Sequence, residues 1–324
     1  MASALRTGPS LTASGSPSVV TAGRYERALA LTTPDESPGV PPDAPGIMLI
    51  ATALARRVLD LLHYEVLIRL RADPEDVHHA RSTVRRLRAM LRGFRPFLDR
   101  AWVDTLREEL RWFAGELAMV RDIDVTVHAL RSRVDTIPQS ERVYVEAVLE
   151  PLESAGESAR THLLATLDDS RYRALLETLE KAATIPAVAS PQTKAESLGA
   201  KSLRKAAQRV RKAVRGADKT STPSELHHAR IAVRNGRYVA EACAYVLGKP
   251  ARRMARRLER LQEALGAISD GTLIEARLRS LVVHDRANLL IGELLALEAV
   301  QGEHARRAWQ SLRRKALREE WFAT

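Results

Sequence analysis

An internal duplication limits what this chain can fold into more than any other feature. The stretch Val77-His78-His79-Ala80-Arg81-Ser82-Thr83-Val84-Arg85-Arg86-Leu87-Arg88 recurs 149 positions later. There it reads Leu226-His227-His228-Ala229-Arg230-Ile231-Ala232-Val233-Arg234-Asn235-Gly236-Arg237. The proline ahead of each copy recurs too, Pro74 as Pro223. A repeat of this length builds the same supersecondary unit twice, so the fold must hold two similar bodies. In the first copy His78, Arg81, Arg85, Arg88 and Arg92 fall at helical offsets 0, 3, 7, 10 and 14. At about 100° per residue they share a stripe roughly 80° wide on one helix face. Val77, Val84, Leu87, Leu91 and Leu98 sit well round from that stripe and form the core-facing side. No acidic residue occurs from His78 to Phe97. A helix with one buried face and an uncompensated cationic face calls for an anion from outside.

The whole chain leans the same way. Lys plus Arg number 51 against 40 for Asp plus Glu, a formal charge of +11, which points to a polyanionic partner or an anionic surface. Aromatic residues are only 4%, which weakens models that stack bases on rings. Cys243 is the single cysteine, so neither a disulfide framework nor a thiolate metal cage is possible. The longest apolar run, Ile47 to Ala55, is about half the roughly 20 residues of a spanning helix. The start of the chain lacks the pattern of a secretory signal. These features lead us to expect a soluble cytoplasmic protein without membrane insertion.

Residues 1–45 are rich in Ser, Thr, Pro, Gly and Ala without sustained periodicity, and are expected to be a disordered tail. From Gly46 the pattern is helical. A first helix is expected over about 47–71, and a second from the Asp73-Pro74-Glu75-Asp76 cap to Arg95-Pro96. A third covers 101–120 and meets a break or re-capping point at Arg121-Asp122-Ile123-Asp124. A shorter helix then runs to Val134, closed by Ile137-Pro138, and two further segments reach Ala183. Pro186 to Pro191 form the clearest linker. A very basic helix follows (Lys201, Arg204, Lys205, Arg209, Arg211, Lys212, Arg215), then the second copy of the motif. The expected architecture is all-α: two repeated antiparallel four-helix-bundle-like halves, 46–185 and 194–320, forming one domain over 46–320.

Several kinds of chemistry find no support in the residues. Adjacent histidines face apart on a helix and have no i,i+4 partner, so the His78-His79 and His227-His228 pairs make poor zinc sites. A phosphotransfer histidine would need one exposed His, not two duplicated arginine stripes. Asp122, Asp124 and Asp270 are read as capping or arginine-pairing groups ahead of magnesium ligands. No phosphate-binding Gly-rich loop occurs. His79 and His228 point about 100° away from the stripe and are read as structural. Trp102, Trp112, Trp309 and Trp321 occupy core-like positions.

A helix opening Val-His-x-x-Arg-x-x-x-Arg-Arg-x-Arg, repeated as Leu-His-x-x-Arg-x-x-x-Arg-x-x-Arg-Tyr, resembles the CHAD family, the conserved-histidine α-helical domain, over roughly residues 46–320. Leu117-Ala118 with Arg121-Asp122-Ile123-Asp124-Val125 resembles that family's post-helix motif, with Ala118 where glycine is usual. Asn235 and Gly236 depart from the pattern, standing where a basic and an apolar residue are expected, which implies a thinner second wall. The resemblance implies two four-helix bundles whose basic faces meet in a groove that binds inorganic polyphosphate, without catalysis and without a cofactor or metal. The family's frequent companion, a CYTH triphosphatase domain marked by a Glu-x-Glu-x-Lys strand, has no counterpart segment here. The main expected contacts are His78, Arg81, Arg85, Arg88, His227, Arg230, Arg234 and Arg237. Arg86, Arg92, Lys201, Arg204, Arg256 and Arg257 are second-rank candidates. Polyphosphate granules are a further expected partner. A nucleic-acid-binding role is the main alternative, and a polyphosphate-processing enzyme the second.

Overall fold

Each copy of the repeat begins with a cap that fixes where its helix starts. In the first, the Asp73 carboxylate accepts from the Glu75 N–H at 2.7 Å and the Asp76 carboxylate accepts from the Asp73 N–H at 3.0 Å. In the second, Thr222 and Glu225 form a reciprocal capping box with Pro223 in the first turn. Equivalent positions therefore perform the same task in both copies.

The computed structural model describes residues 39–71, 73–132, 139, 142–189, 192–280, 285–319 and 321–322. The described helices are α1 (Gly46–Leu70), α2 (Glu75–Phe94), α3 (Arg100–Arg131), α4 (Arg142–Asp168), α5 (Ser170–Thr184), α6 (Ala195–Gly216), α7 (Pro223–Leu247), α8 (Lys249–Ser280) and α9 (Asp285–Arg318). A 3-10 turn, Arg95–Phe97, follows α2 at Pro96. Among the described residues there is no named strand, only two isolated bridges, Pro45 with Lys194 and Leu98 with Val188. The chain is all-α, as expected.

In the first half α1 packs on α2 and α5, α2 on α3, and α3 on α4; in the second, α6 packs on α7, α7 on α8, and α8 on α9. The halves meet where α2 lies on α7 and α1 on α6 and α7. Helix α1 is suited to this central place because apolar residues surround much of it, with Leu49, Ile50, Ala53, Leu54 and Leu61 all fully buried. One continuous core runs from these residues through Val84 and Leu87 to Val233, Leu258 and Trp309.

Three expectations need correction. Residues 39–45 are not part of a disordered tail: Val40 is buried, its N–H donates to the Tyr245 carbonyl at 2.8 Å, and the Ala44 carbonyl accepts from Ala195 N–H at 2.8 Å. These contacts give the segment an apolar anchor and backbone partners; residues 1–38 lie outside the described residues. Second, α3 passes through Arg121-Asp122-Ile123-Asp124 without a break, because Leu110, Phe113, Leu117, Val120 and Leu130 keep a buried face in phase. Asp122 and Asp124 therefore sit inside a helix and do not cap one, and Asp270 likewise falls within α8. The expected short-helix end at Val134 and its Ile137-Pro138 closure lie outside the described residues. Third, the segment after α5 is tied down: Asp99 N–H donates to the Ala187 carbonyl at 2.9 Å and Ala189 N–H to the Phe97 carbonyl at 3.0 Å. Ser190 and Pro191 lie outside the described residues.

Trp309 and Trp321 are buried, while Trp102 and Trp112 are half-buried against the core. Among the described residues no helix is long and apolar enough to cross a membrane.

The second copy's glycine has a packing reason. A Cβ on Gly236 would lie 2.4 Å from Val210 Cγ2 and 3.4 Å from Leu258 Cδ1, so its absence lets α6 and α8 close on α7. Gly236→Ala should lower stability by about 1–3 kcal/mol although alanine is the better helix former. A thermal melt checks it, and Val210→Ala in the same chain should remove much of the penalty.

Candidate functional site

The capped starts of α2 and α7 bring the two arginine stripes to the same cavity, of about 1390 Å3. His78, Arg81, Arg85 and Arg86 come from α2, and His227, Arg230, Arg234, Arg237 and Tyr238 from α7. A third wall comes from α3 and α4, with Arg121, Asp122, Asp124, His128 and Arg131 facing Glu153, Glu157 and Arg160 across it. Gln262, Ile268 and Ser269 of α8 complete the lining.

The arginines divide by partner. Arg121 pairs with Glu75 at 2.7 Å, Arg131 with Glu153 at 2.5 Å, and Arg160 with Asp124. Arg237 binds Glu241 and Glu259, both at 2.8 Å, and Arg86 reaches Glu241 at 3.4 Å while lying over the Tyr238 ring. Arg81 stands 3.8 Å from Asp122, a loose contact. Arg85 and Arg234 differ: among the described residues neither has a carboxylate within ion-pair distance, and the Nε of each is buried without an acceptor. Burial is the main force lowering both pKa values; Arg85 then depresses Arg234, and Arg81 and Arg230 lower both, with Tyr238 opposing. Both stay protonated at neutral pH, so the site holds positive charge that the protein itself leaves uncompensated. The Gln262 amide oxygen is also buried without a partner at the cavity wall.

The histidines have a matching state. Burial pushes His78 down to about 4, with Arg121 the next cause and Glu75 opposing. His227 is lowered for the same leading reason, with Arg230 and Arg234 adding to it. Both rings are therefore neutral in the empty site. In both histidines burial outranks the neighbouring cations as the cause.

The remaining sequence candidates go elsewhere. Arg88 faces Arg107, Glu108 and Arg111 of α3. Arg92 lines a separate, smaller cavity. Lys201 and Arg204 are exposed on α6 and Arg256 is exposed on α8, none of them in the cavity lining. Arg257 lies over the Trp321 ring, 5.9 Å from its centroid. A 3.6-residue stripe wider than one helix turn can tell which face is polar, but not which neighbour covers it. Arg121, Arg131, Arg160 and His128 were missed as lining residues. Arg121 had a signal in its motif beside Asp122, whereas Arg160 on α4 had none. His79, read as structural, stacks on Tyr64 with centroids 5.0 Å apart at the cavity edge.

Among the described residues no group of three or more His, Cys, Asp or Glu could hold a metal ion. Cys243 is buried, donates its S–H to the Gly199 carbonyl at 3.4 Å, and has its thiol pushed up to about 12 by burial.

Comparison with known proteins identifies the family and the fold. The family model for the CHAD domain matches residues 52–279. The fold is similar to the crystal structure of the CHAD domain from the plant Ricinus communis, with a TM-score of 0.68 and 21% identity, covering 90% of this chain and 98% of that one. It is also similar to PptA from Streptomyces chartreusis, with a TM-score of 0.63 and 21% identity, covering 83% and 99%. No curated protein matches the sequence.

The state of His78 makes a measurable prediction. Its folded pKa is below its unfolded value, so the unfolded chain takes up the proton first as pH falls. The empty protein should lose stability as pH drops from about 6.5 towards about 4, the window between those two values. In His78→Asn part of that loss should disappear, as read by melting temperature against pH.

Proposed function

The chain belongs to the CHAD domain family, and from that premise we propose that it binds inorganic polyphosphate in the cavity between α2 and α7, without acting on it chemically. The observation that carries this reading is the buried pair Arg85 and Arg234, one from each repeat, with no acid to compensate it among the described residues. A buried like-charge pair is a standing cost that a multiply charged anion turns into attraction. Guanidinium suits phosphate because its planar fork donates two parallel hydrogen bonds. Arg81 and Arg230 extend the cationic surface along the helices by one turn, about 5 Å, a spacing suited to successive groups of a linear chain. His78 and His227, neutral when empty, gain a reason to protonate beside a bound polyanion.

The acid-paired arginines have a different part. Arg121, Arg160 and Arg237 join neighbouring helices through Glu75, Asp124 and Glu259. Absence of a metal-holding carboxylate group among the described residues favours binding over hydrolysis or transfer. Attachment to polyphosphate granules in the cytoplasm fits a binding module of this kind. A nucleic acid has the same backbone charge, but the cavity offers few rings for its bases: Tyr238 is buried beneath Arg86 and Arg237.

Arg85→Leu with Arg234→Leu should cut polyphosphate binding at least about a hundredfold, the loss of two charge-assisted contacts. It should leave helical content intact and raise the melting temperature of the empty protein, since a buried repulsion is replaced by apolar contact. Unchanged affinity would move the site elsewhere. In the same assay, nucleic acid at matched phosphate concentration should fail to displace long-chain polyphosphate; displacement would favour the nucleic-acid reading. Affinity should also fall with salt. If about four phosphates are neutralised, a fourfold rise in salt should weaken binding roughly fiftyfold, and a salt-insensitive complex would rule out a charge-driven site.

A further inference from the structure

The duplication leaves a second cavity, and its lining follows from the way the repeats differ. Under the 149-residue offset Arg86, Tyr238 and Glu241 correspond to Asn235, Ala89 and Arg92. On one side of the α2–α7 seam, the first set fills the space: Arg86 lies over the Tyr238 ring at 5.2 Å and its Nε is 3.4 Å from the Glu241 carboxylate. On the other side the second set lines an open cavity of about 380 Å3, closed by α6. The large ring has become the methyl of Ala89, the guanidinium has become the Asn235 amide, and the carboxylate has become the guanidinium of Arg92.

Three further observations make this cavity more than a packing defect. Arg209 of α6 lines it beside Arg92, and the two cations lie within electrostatic reach of each other. Among the described residues neither has a carboxylate within ion-pair distance, and both are exposed. The Ser202 hydroxyl at the lining is 2% exposed as a residue and has no hydrogen-bond partner. Apart from His228 and Asn235, the rest of the lining is apolar, including Ala89 and Val239. A volume of this size admits a small organic molecule.

We propose that this cavity is a binding site for a small aromatic anion, a flat ring carrying one carboxylate or phosphate group. The ring takes the place that Tyr238 fills on the opposite side of the seam and rests on Ala89 and Val239. The anionic group lies between Arg92 and Arg209, where the opposite side supplies the Glu241 carboxylate to Arg86. Ser202 and Asn235 give the polar contacts that fix orientation. The site is separate from the polyphosphate cavity and does not depend on that reading, although both use α2 and α7, on different faces: His227, Arg230 and Arg234 on one, His228, Ile231 and Asn235 on the other.

The test uses 1-naphthoate as probe, titrated calorimetrically into the full chain. One molecule should bind per chain, orthophosphate at equal concentration should fail to compete, and long-chain polyphosphate should not displace the probe. Arg92→Gln and Arg209→Gln, both at exposed positions, should each weaken it about tenfold, the loss of one charge-assisted contact, and leave polyphosphate affinity unchanged. The triple variant Ala89→Tyr, Asn235→Arg, Arg92→Glu, which copies the filled side of the seam, should abolish probe binding. No binding of 1-naphthoate, binding by either Gln variant as tight as by the unaltered chain, or displacement by polyphosphate would each overturn the proposal. Competition by orthophosphate would overturn the aromatic part of it. The Gln variants decide the matter even if the triple variant does not fold.

Discussion

The cavity between the two repeats depends on how closely α2 can approach α7. A Cβ on Gly93 would lie 2.5 Å from Val239 Cγ2, so the contact between the two helices is set by a missing side chain. The approach is driven from behind the basic faces, where Val77, Val84, Leu87 and Leu91 of α2 and Val233 and Val239 of α7 enter one shared core. Fully burying a Val or Leu contributes roughly 1.5–3 kcal/mol, so a few such residues outweigh the repulsion between facing arginines. The cationic pair is thus held together by packing that it opposes.

The acids define which part of the cavity is left for a ligand. Glu75, Asp124, Glu153, Glu241 and Glu259 each sit on a specific arginine, and together they neutralise the outer walls. They stop short of Arg85 and Arg234. A cavity lined uniformly by unpaired arginine would push its helices apart, and one with every arginine paired would attract nothing. The arrangement places compensation where helices need to be joined and withholds it where the two repeats face each other.

Much of this was legible in the sequence, for identifiable reasons. The repeat of His78-x-x-Arg81-x-x-x-Arg85 as His227-x-x-Arg230-x-x-x-Arg234 fixed two equivalent helices, and the apolar period behind it fixed their buried side. The caps at Asp73 and Thr222 located the helix starts. What the sequence could not supply was the far end of each long side chain. Arg88 and Arg92 share the stripe of Arg85, yet one faces α3 and the other opens onto α6, because a helix of that length meets different neighbours at each turn. The mistaken break at Arg121-Asp124 had a related origin: the aspartates looked like caps because their partners, Arg81 and Arg160, are distant in sequence. The contribution of α4 to the cavity was invisible for the same reason.

The departure at Asn235-Gly236 looked like a weakened copy of the first wall, and the structure gives it another meaning. Arg234 lines the shared cavity opposite Arg85 and lacks an ion-pair partner as Arg85 does, so the ligand-facing position of the second copy is not thinner. The difference lies one residue on, where Arg86 turns towards Tyr238 and Glu241 and Asn235 turns away from the cavity towards Ala89 and Arg92. Only α7 carries a glutamate at that level; α2 carries Arg92 in its place. One Arg86–Glu241 bridge suffices to fix the register of two helices already joined by an apolar seam, and a second would add little. The equivalent side of the seam has neither the ring nor the carboxylate, and Gly236 lets α6 close over it.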